Sequence, residues 1–141
     1  RYFISDKKVI CLSDFDFNTD EITKLTFNCD TEEHTLMLMK KLQDIYGNKY
    51  MFTRAWPNCF EICHSQGGKA AMVKYVKDML GIKKLICVGD YENDLHMLCE
   101  ADISFAPSTA IESVRKTVTC VIENTPSGIF NRIVNYCDNI E

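Results

Sequence analysis

One run constrains this chain more than any other: Lys83–Leu98, KKLICVGDYENDLHML. Within it KLICV (84–88) is continuously apolar, the mark of a strand covered on both faces in a parallel sheet. The run stops on Gly89-Asp90, and a helix is predicted over roughly 92–100. Ligands of open parallel sheets bind beyond the carboxyl ends of the strands, so topology alone puts Asp90 at a crevice. Gly89 is expected to let the backbone bend and a ligand approach closely. Asn93 and Asp94 fall in the first turn of the following helix, whose free N–H groups and dipole favour an anion. Two carboxylates beside an anion site call for a cation between them, and oxygen-only donors suit a hard ion such as magnesium. Glu92 is read as solvated surface, and Asp94 alone could serve as a helix cap. A cap does not explain Gly-Asp directly after a buried strand.

The surrounding pattern supports a parallel sheet. Residues 69–81 carry Met72, Val76, Met79 and Leu80 at helical spacing and end on Gly81. After the 92–100 helix come a strand at DISFAP, a helix from Ser108 to about Lys116, a strand at VTCVIE and an amphipathic helix over Ser127–Ile140. The last helix has Ile129, Phe130, Ile133, Val134 and Cys137 on its apolar side. Strand–helix alternation of this kind argues for a doubly wound α/β layer.

Residues 22–65 read differently. ITKLTFN (22–28) alternates as a half-buried strand. Asp30 is expected to cap the next helix, with Glu33 as its capping-box partner. That helix reaches about Tyr46, with Leu38, Leu42 and Ile45 along one stripe, and stops at Gly47-Asn48. KYMFTRAW and CFEICHS are two strands joined through Pro57-Asn58. The composition changes near HSQGGK, which divides the chain into an α+β region (1–65) and an α/β region (66–141).

Bulk properties exclude several classes. The 141 residues suffice to bury a core, and 26% charged residues are ordinary for a globular protein. A formal net charge of −4 gives no reason to expect nucleic acid or an anionic membrane as partner. No apolar run approaches a membrane span, and no signal peptide is visible. The eight cysteines are scattered through apolar stretches, where free cysteine acts as a small hydrophobe. Cys59, Cys63 and His64 form the one tight group, but zinc needs a fourth ligand and no second pair stands nearby. A reducing cytoplasm fits this usage.

GDYENDLHML resembles the GDxxND motif of the haloacid dehalogenase superfamily, and its surroundings resemble the Cof-type phosphatases. Those sequences run from a strand ending in Glu-Ile, through a Gly-rich turn and a lysine, into a helix closing on Leu-Gly-Ile. Here that is FEICHSQGGKAAMVKYVKDMLGI. They continue with an apolar strand, GDxxND, Met-Leu, an Ala-rich strand and a late Asn…Gly. Here those are LICVGDYENDLHML, ADISFAPSTA and ENTPSGIFNRIV. The similarity covers about residues 22–141. It implies the C-terminal half of a Rossmannoid parallel sheet joined to part of an α+β cap, and a magnesium-dependent phosphatase acting on a small phosphorylated metabolite. By the same resemblance Lys69 holds the phosphoryl group, Asp90 ligates magnesium, Asp94 is a second acid supporting the metal, and Asn93 contacts the phosphate. Arg54 and Trp56 are candidates for substrate contact, weighed against plain strand packing.

The family's nucleophile is an aspartate of a DxDx(T/V) motif that forms an aspartyl-phosphate. The one Asp-x-Asp here is Asp14-Phe15-Asp16, but position 18 is asparagine and SDFDFNTDE has the composition of an acidic loop. Thr53, closing KYMFT, imitates the second motif yet sits among cap elements. Two of four superfamily motifs are therefore unaccounted for, and the expectation is a chain that begins inside the cap and lacks the nucleophile. Two alternatives stay open: a sugar phosphomutase of the same superfamily, and a binding module that keeps the metal and anion pocket without turnover.

Overall fold

The computed structural model describes residues 22–123, 125 and 127–138. The Asp14-Phe15-Asp16 motif lies outside them. Among the described residues there are two three-stranded sheets, one antiparallel and one parallel. Among the described residues no helix is long and apolar enough to cross a membrane.

The antiparallel sheet comprises β1 (Lys24–Asn28), β2 (Tyr50–Trp56) and β3 (Cys59–His64), with β3 in the middle. Helix α1 (Glu32–Tyr46) connects β1 to β2. Alternation separates the two sheet faces. Leu25, Phe27, Phe52 and Ile62 share one face and line a cavity of about 420 Å³ with Leu42 and Tyr46 of α1. Phe27 and Phe60 stack at 4.8 Å across the strands. The opposite face carries a polar row, because the register sets Glu61 beside both Thr26 and Thr53.

Helix α1 ends at Tyr46 with Gly47 as its C-cap, as expected, and departs from expectation at its start. Its cap is Thr31 rather than Asp30: Thr31 Oγ1 accepts from His34 N–H at 3.1 Å. β1 ends at Asn28 as expected, but Cys29 N–H still bonds across to Asn58 O at 2.9 Å, so the turn into the helix comes one residue later. Thr35 is fully buried, whereas Ile45 of the expected stripe is exposed.

The parallel sheet has the order β4-β5-β6, from β4 (Ile86–Val88), β5 (Ile103–Pro107) and β6 (Cys120–Ile122). Helix α2 (Lys69–Leu80) links the two sheets. After β4 come a 3-10 turn (Glu92–Asp94) and α3 (Leu95–Glu100); α4 (Glu112–Thr117) joins β5 to β6, and α5 (Gly128–Asp138) follows. β5 is central and every one of its residues is buried. Cys87, Leu98, Ala106, Ala110 and Val114 form the core, with Val73 and Leu85 packed against it.

Three expectations change here. Helix α4 starts at Glu112, not Ser108, because Ala110 N–H first closes a turn on Pro107 O and Ile111 N–H reaches Asp90 O at 3.1 Å. Met72, Val76, Met79 and Leu80 of α2 are exposed, and Val73 is the residue that packs. β4 was expected to be covered on both faces, but Val88 is 37% exposed and, among the described residues, β4 has a strand neighbour on one side only. Gly81 ends α2 in the left-handed region at φ 62°, where Ile82 N–H returns to Lys77 O. The cysteines of the described residues are free thiols.

Candidate active site

The carboxyl end of β4 turns at Gly89 and delivers Asp90, the 3-10 turn and α3 to the rim of the parallel sheet. Asp94 organises that rim. Its residue exposure is 6%, and both carboxylate oxygens are engaged. Oδ2 accepts the N–H of Asp90 at 3.0 Å and, more weakly, that of Tyr91 at 3.4 Å. Oδ1 meets Lys69 Nζ at 2.5 Å. A buried carboxylate is tolerable only when paired and hydrogen-bonded, and Asp94 is both.

Gly89 makes this packing possible in an unanticipated way. A Cβ built on it would lie 2.5 Å from Asp94 Cβ and 2.8 Å from Asp94 Cγ, far inside contact distance. Its backbone is not in the left-handed region, where Gly81 is found. Glycine is present for room rather than for a bend, and the space is filled by Asp94.

Lys69 opens α2 directly after Gly67-Gly68, so the start of that helix points its lysine at the same rim. Lys69 and Asn93 line one cleft, together with Gly67, Gly68 and His96 and the polar face of the antiparallel sheet at Lys24, Thr53 and Glu61. The Asp90 side chain is exposed at the strand end, and among the described residues it has no side-chain partner. The structure thus brings Lys69, Asn93, Asp94 and the Asp90 main chain together. Lys24 and Glu61 of the cleft escaped the sequence reading as site residues, and Thr53 was set aside there as an imitation of the second motif; the signal was the alternation of β3, which sets Glu61 on the face shared by Cys59 and Cys63.

Arg54 and Trp56 stand at the junction of the two sheets. Arg54 Nη2 donates to Glu32 Oε1 at 2.8 Å and to the Tyr91 hydroxyl at 2.9 Å. Burial pulls the guanidinium pKa down, but the hydrogen bonds to Tyr91 and Glu32 and the charge of Glu92 more than offset it, so the net shift is upward. Trp56 is largely exposed and tilts against the Tyr91 ring at 6.4 Å. Glu92, expected to be plain surface, is paired with Arg54 at 3.4 Å.

Donor chemistry decides which ion the rim could hold. Asp90 offers a free hard oxygen donor, whereas Asp94 already accepts three N–H groups and has little acceptor capacity left for a cation. The residues therefore fit a hard cation through Asp90, with Asp94 behind it. Among the described residues no group of three or more His, Cys, Asp or Glu is placed to hold a metal. This applies to Cys59, Cys63 and His64 as well, and burial pushes the Cys59 thiol pKa up, away from the thiolate a soft metal needs. Cys87, beneath the rim, is raised likewise, by burial and then by the charge of Asp94.

The model of the haloacid dehalogenase-like hydrolases matches residues 2–133. The chain belongs to that family. Over 95 residues it is 32% identical to the curated "Putative phosphatase YxeH" of Bacillus subtilis (strain 168), an overlap of 66% of this chain and 35% of that protein. Its fold is similar to that of SMU.1108c from Streptococcus mutans UA159, with a TM-score of 0.74 at 23% identity over 83% of this chain and 45% of the other. The subclass IIB sugar phosphatase BT4131 gives a TM-score of 0.69 at 21% identity, over 84% and 44%. At those identities the likeness to the solved structures is one of fold. The chain spans about a third of the curated relative it matches and under half of either structure.

Proposed function

We propose that this chain supplies the lysine and the acidic rim of a magnesium-dependent phosphatase acting on a small phosphorylated metabolite. The observation that carries the reading is the Lys69–Asp94–Asp90 unit: a lysine from the start of α2 and acids from the end of β4 share one hydrogen-bonded corner. Phosphoryl transfer asks a protein mainly for in-line positioning and for positive charge around the transferring oxygens. In this reading Lys69 holds the phosphoryl group, Asn93 contacts it from the same cleft, and Asp94 fixes Lys69 and the Asp90 main chain. Asp90 would hold magnesium, which when bound offsets phosphate charge. The nucleophilic carboxylate comes from beyond the described residues. Its oxygen attacks phosphorus as the bond to the leaving alkoxide breaks, giving an aspartyl-phosphate; the alkoxide takes a proton from solvent, and water then attacks the same phosphorus, breaking the acyl-phosphate bond to release inorganic phosphate and a proton and restore the carboxylate. Residues 1–65 act as a partial cap on the substrate side and 66–141 as the C-terminal part of the catalytic core, in a cytoplasmic protein.

The test uses this chain and a version extended at its N-terminus, assayed for magnesium-dependent release of phosphate from an aryl phosphate. Activity is expected in the extended protein and its loss in the Asp90→Asn variant. Unchanged turnover in that variant would refute the assignment of Asp90. Full turnover by the chain alone would return the nucleophile to Asp14.

A further inference from the structure

Tyr91 and Glu92 fill the two unspecified positions of Gly89-Asp90-Tyr91-Glu92-Asn93-Asp94, and side chains of the antiparallel sheet hold both. Arg54 Nη2 donates to the Tyr91 hydroxyl at 2.9 Å, and its Cζ lies 6.0 Å from the Tyr91 ring centroid. The register of β2 slips between Arg54 and Trp56, an irregularity of the kind that re-aims side chains, and both residues reach the same tyrosine. The Tyr91 main chain in turn donates to Asp94 Oδ2, which binds Asp90 N–H, while Asp94 Oδ1 binds Lys69. A continuous set of polar contacts therefore runs from Glu32 through Arg54 and Tyr91 to Lys69.

We propose that Arg54 is a positioning residue: through Tyr91 and Glu92 it ties the Asp90–Asp94 turn to the antiparallel sheet, so that filling the phosphoryl site and seating that sheet become one coupled equilibrium. The proposal rests on the phosphatase reading of the rim. Arg54 is the right side chain for the task, because its rigid fork can grip two elements at once and its charge does not titrate. The grip is also incomplete. Arg54 Nε is buried and makes no hydrogen bond among the described residues, although Glu92 Oε2 is 3.4 Å away. An unsatisfied buried donor is costly, and Glu92 offsets that cost here through its charge rather than through an aligned hydrogen bond.

Trp56 is the chain's one tryptophan and lies against Tyr91, so its emission reports the junction directly. The experiment titrates inorganic phosphate into the chain with magnesium chloride present, following Trp56 fluorescence and, in parallel, heat. In the wild-type chain the emission change should saturate at the same phosphate concentration as the heat. Tyr91→Phe keeps the ring and deletes the hydroxyl; Arg54→Lys keeps the charge and deletes the fork. Each should weaken phosphate binding about three- to tenfold and shrink the Trp56 response, as loss of one hydrogen bond implies. Unaltered affinity in both variants, or binding with a silent Trp56, overturns the coupling and leaves the phosphate site standing. Failure of the wild-type chain to bind phosphate overturns the site, and the coupling with it.

Discussion

Replacing Gly89 by alanine should displace Asp94 and disturb the rim without removing any polar atom. The added methyl would lie 2.5 Å from Asp94 Cβ, 2.8 Å from its Cγ and 2.9 Å from its Oδ2. Carbon atoms pack at about 3.5–4.0 Å, so Asp94 must retreat by roughly 1 Å. Such a retreat stretches the 3.0 Å bond from Asp90 N–H beyond hydrogen-bond range. A bond to a charged acceptor is worth about 1.5–3 kcal/mol, and residual overpacking adds about 1 kcal/mol. The long Tyr91 contact and the half-exposed Lys69 contribute little, since water can replace them. The sum is about 2.5–4 kcal/mol, or roughly 8–15 °C in Tm for a chain of this size. Because the backbone at Gly89 is not left-handed, alanine adds no dihedral strain and the effect is steric. Thermal unfolding by circular dichroism measures it, and a cycle with Asp94→Gly isolates the cause: the two costs should be strongly sub-additive. A Tm within 1 °C of wild type, or strict additivity in the cycle, would show that Asp94 is not what occupies the space beside Gly89.

Gly81→Ala tests the opposite role of glycine: at φ 62° a side chain should cost about 1–2 kcal/mol, read as a lower Tm with an unchanged phosphate titration. Asp102 accepts from Lys77 Nζ and Leu85 N–H, both at 2.7 Å, and the hydrogen bond from Lys77, then that from Leu85, hold its pKa below the usual carboxylate value. A depressed carboxylate stabilises the fold above its unfolded pKa and ceases to do so as pH falls through the folded value. Asp102→Asn should therefore lower the Tm at neutral pH, with the difference closing below about pH 4; a constant difference across pH would contradict this. Lys69→Met should weaken inorganic phosphate binding at least about tenfold while lowering stability by only about 1 kcal/mol, because Asp94 keeps its two main-chain donors. Intact phosphate binding in that variant would reduce Lys69 to a structural partner of Asp94.

Much of the parallel layer was legible because its signals are local. A continuous apolar run, Gly-Asp after it and helical spacing on either side place Asp90 at a sheet rim before any coordinate is known, and the order β4-β5-β6 follows that pattern. Periodicity is weaker at saying which stripe finds a partner. Met72, Val76, Met79 and Leu80 share one side of α2, yet Val73, between them, is what meets the core. The same limit applies to Ile45 on α1. Cap positions blurred by a single residue, since Asp30 and Thr31 are both competent caps and the β1–β3 ladder decided which was free to act. The roles of Gly89 and Arg54 could not be read at all. Room for Asp94 depends on how the turn that brings it back, five residues after Gly89, folds, and the partners of Arg54 lie 22 and 37 positions away.

Those long-range contacts bear on how the rim would work. The Lys69–Asp94 pair is not mainly a source of stability, for one partner is 47% exposed and the other 8%. Its asymmetry is the informative property. The buried carboxylate aims the lysine and uses one of its three donors, and the exposed side of the ammonium faces the cleft that Asn93 shares. Meeting a phosphoryl group there would require little further ordering of either residue, which is the condition under which a fixed charge is most effective against developing negative charge. Asp90 adds the complement. Its main chain is held by Asp94 while its carboxylate stays outside that pairing, so the turn that fixes the lysine also presents a hard oxygen donor at the same edge. One buried acid therefore sets the position of the positive charge and of the free carboxylate together, and a perturbation of Gly89, Tyr91 or Arg54 reaches both through Asp94.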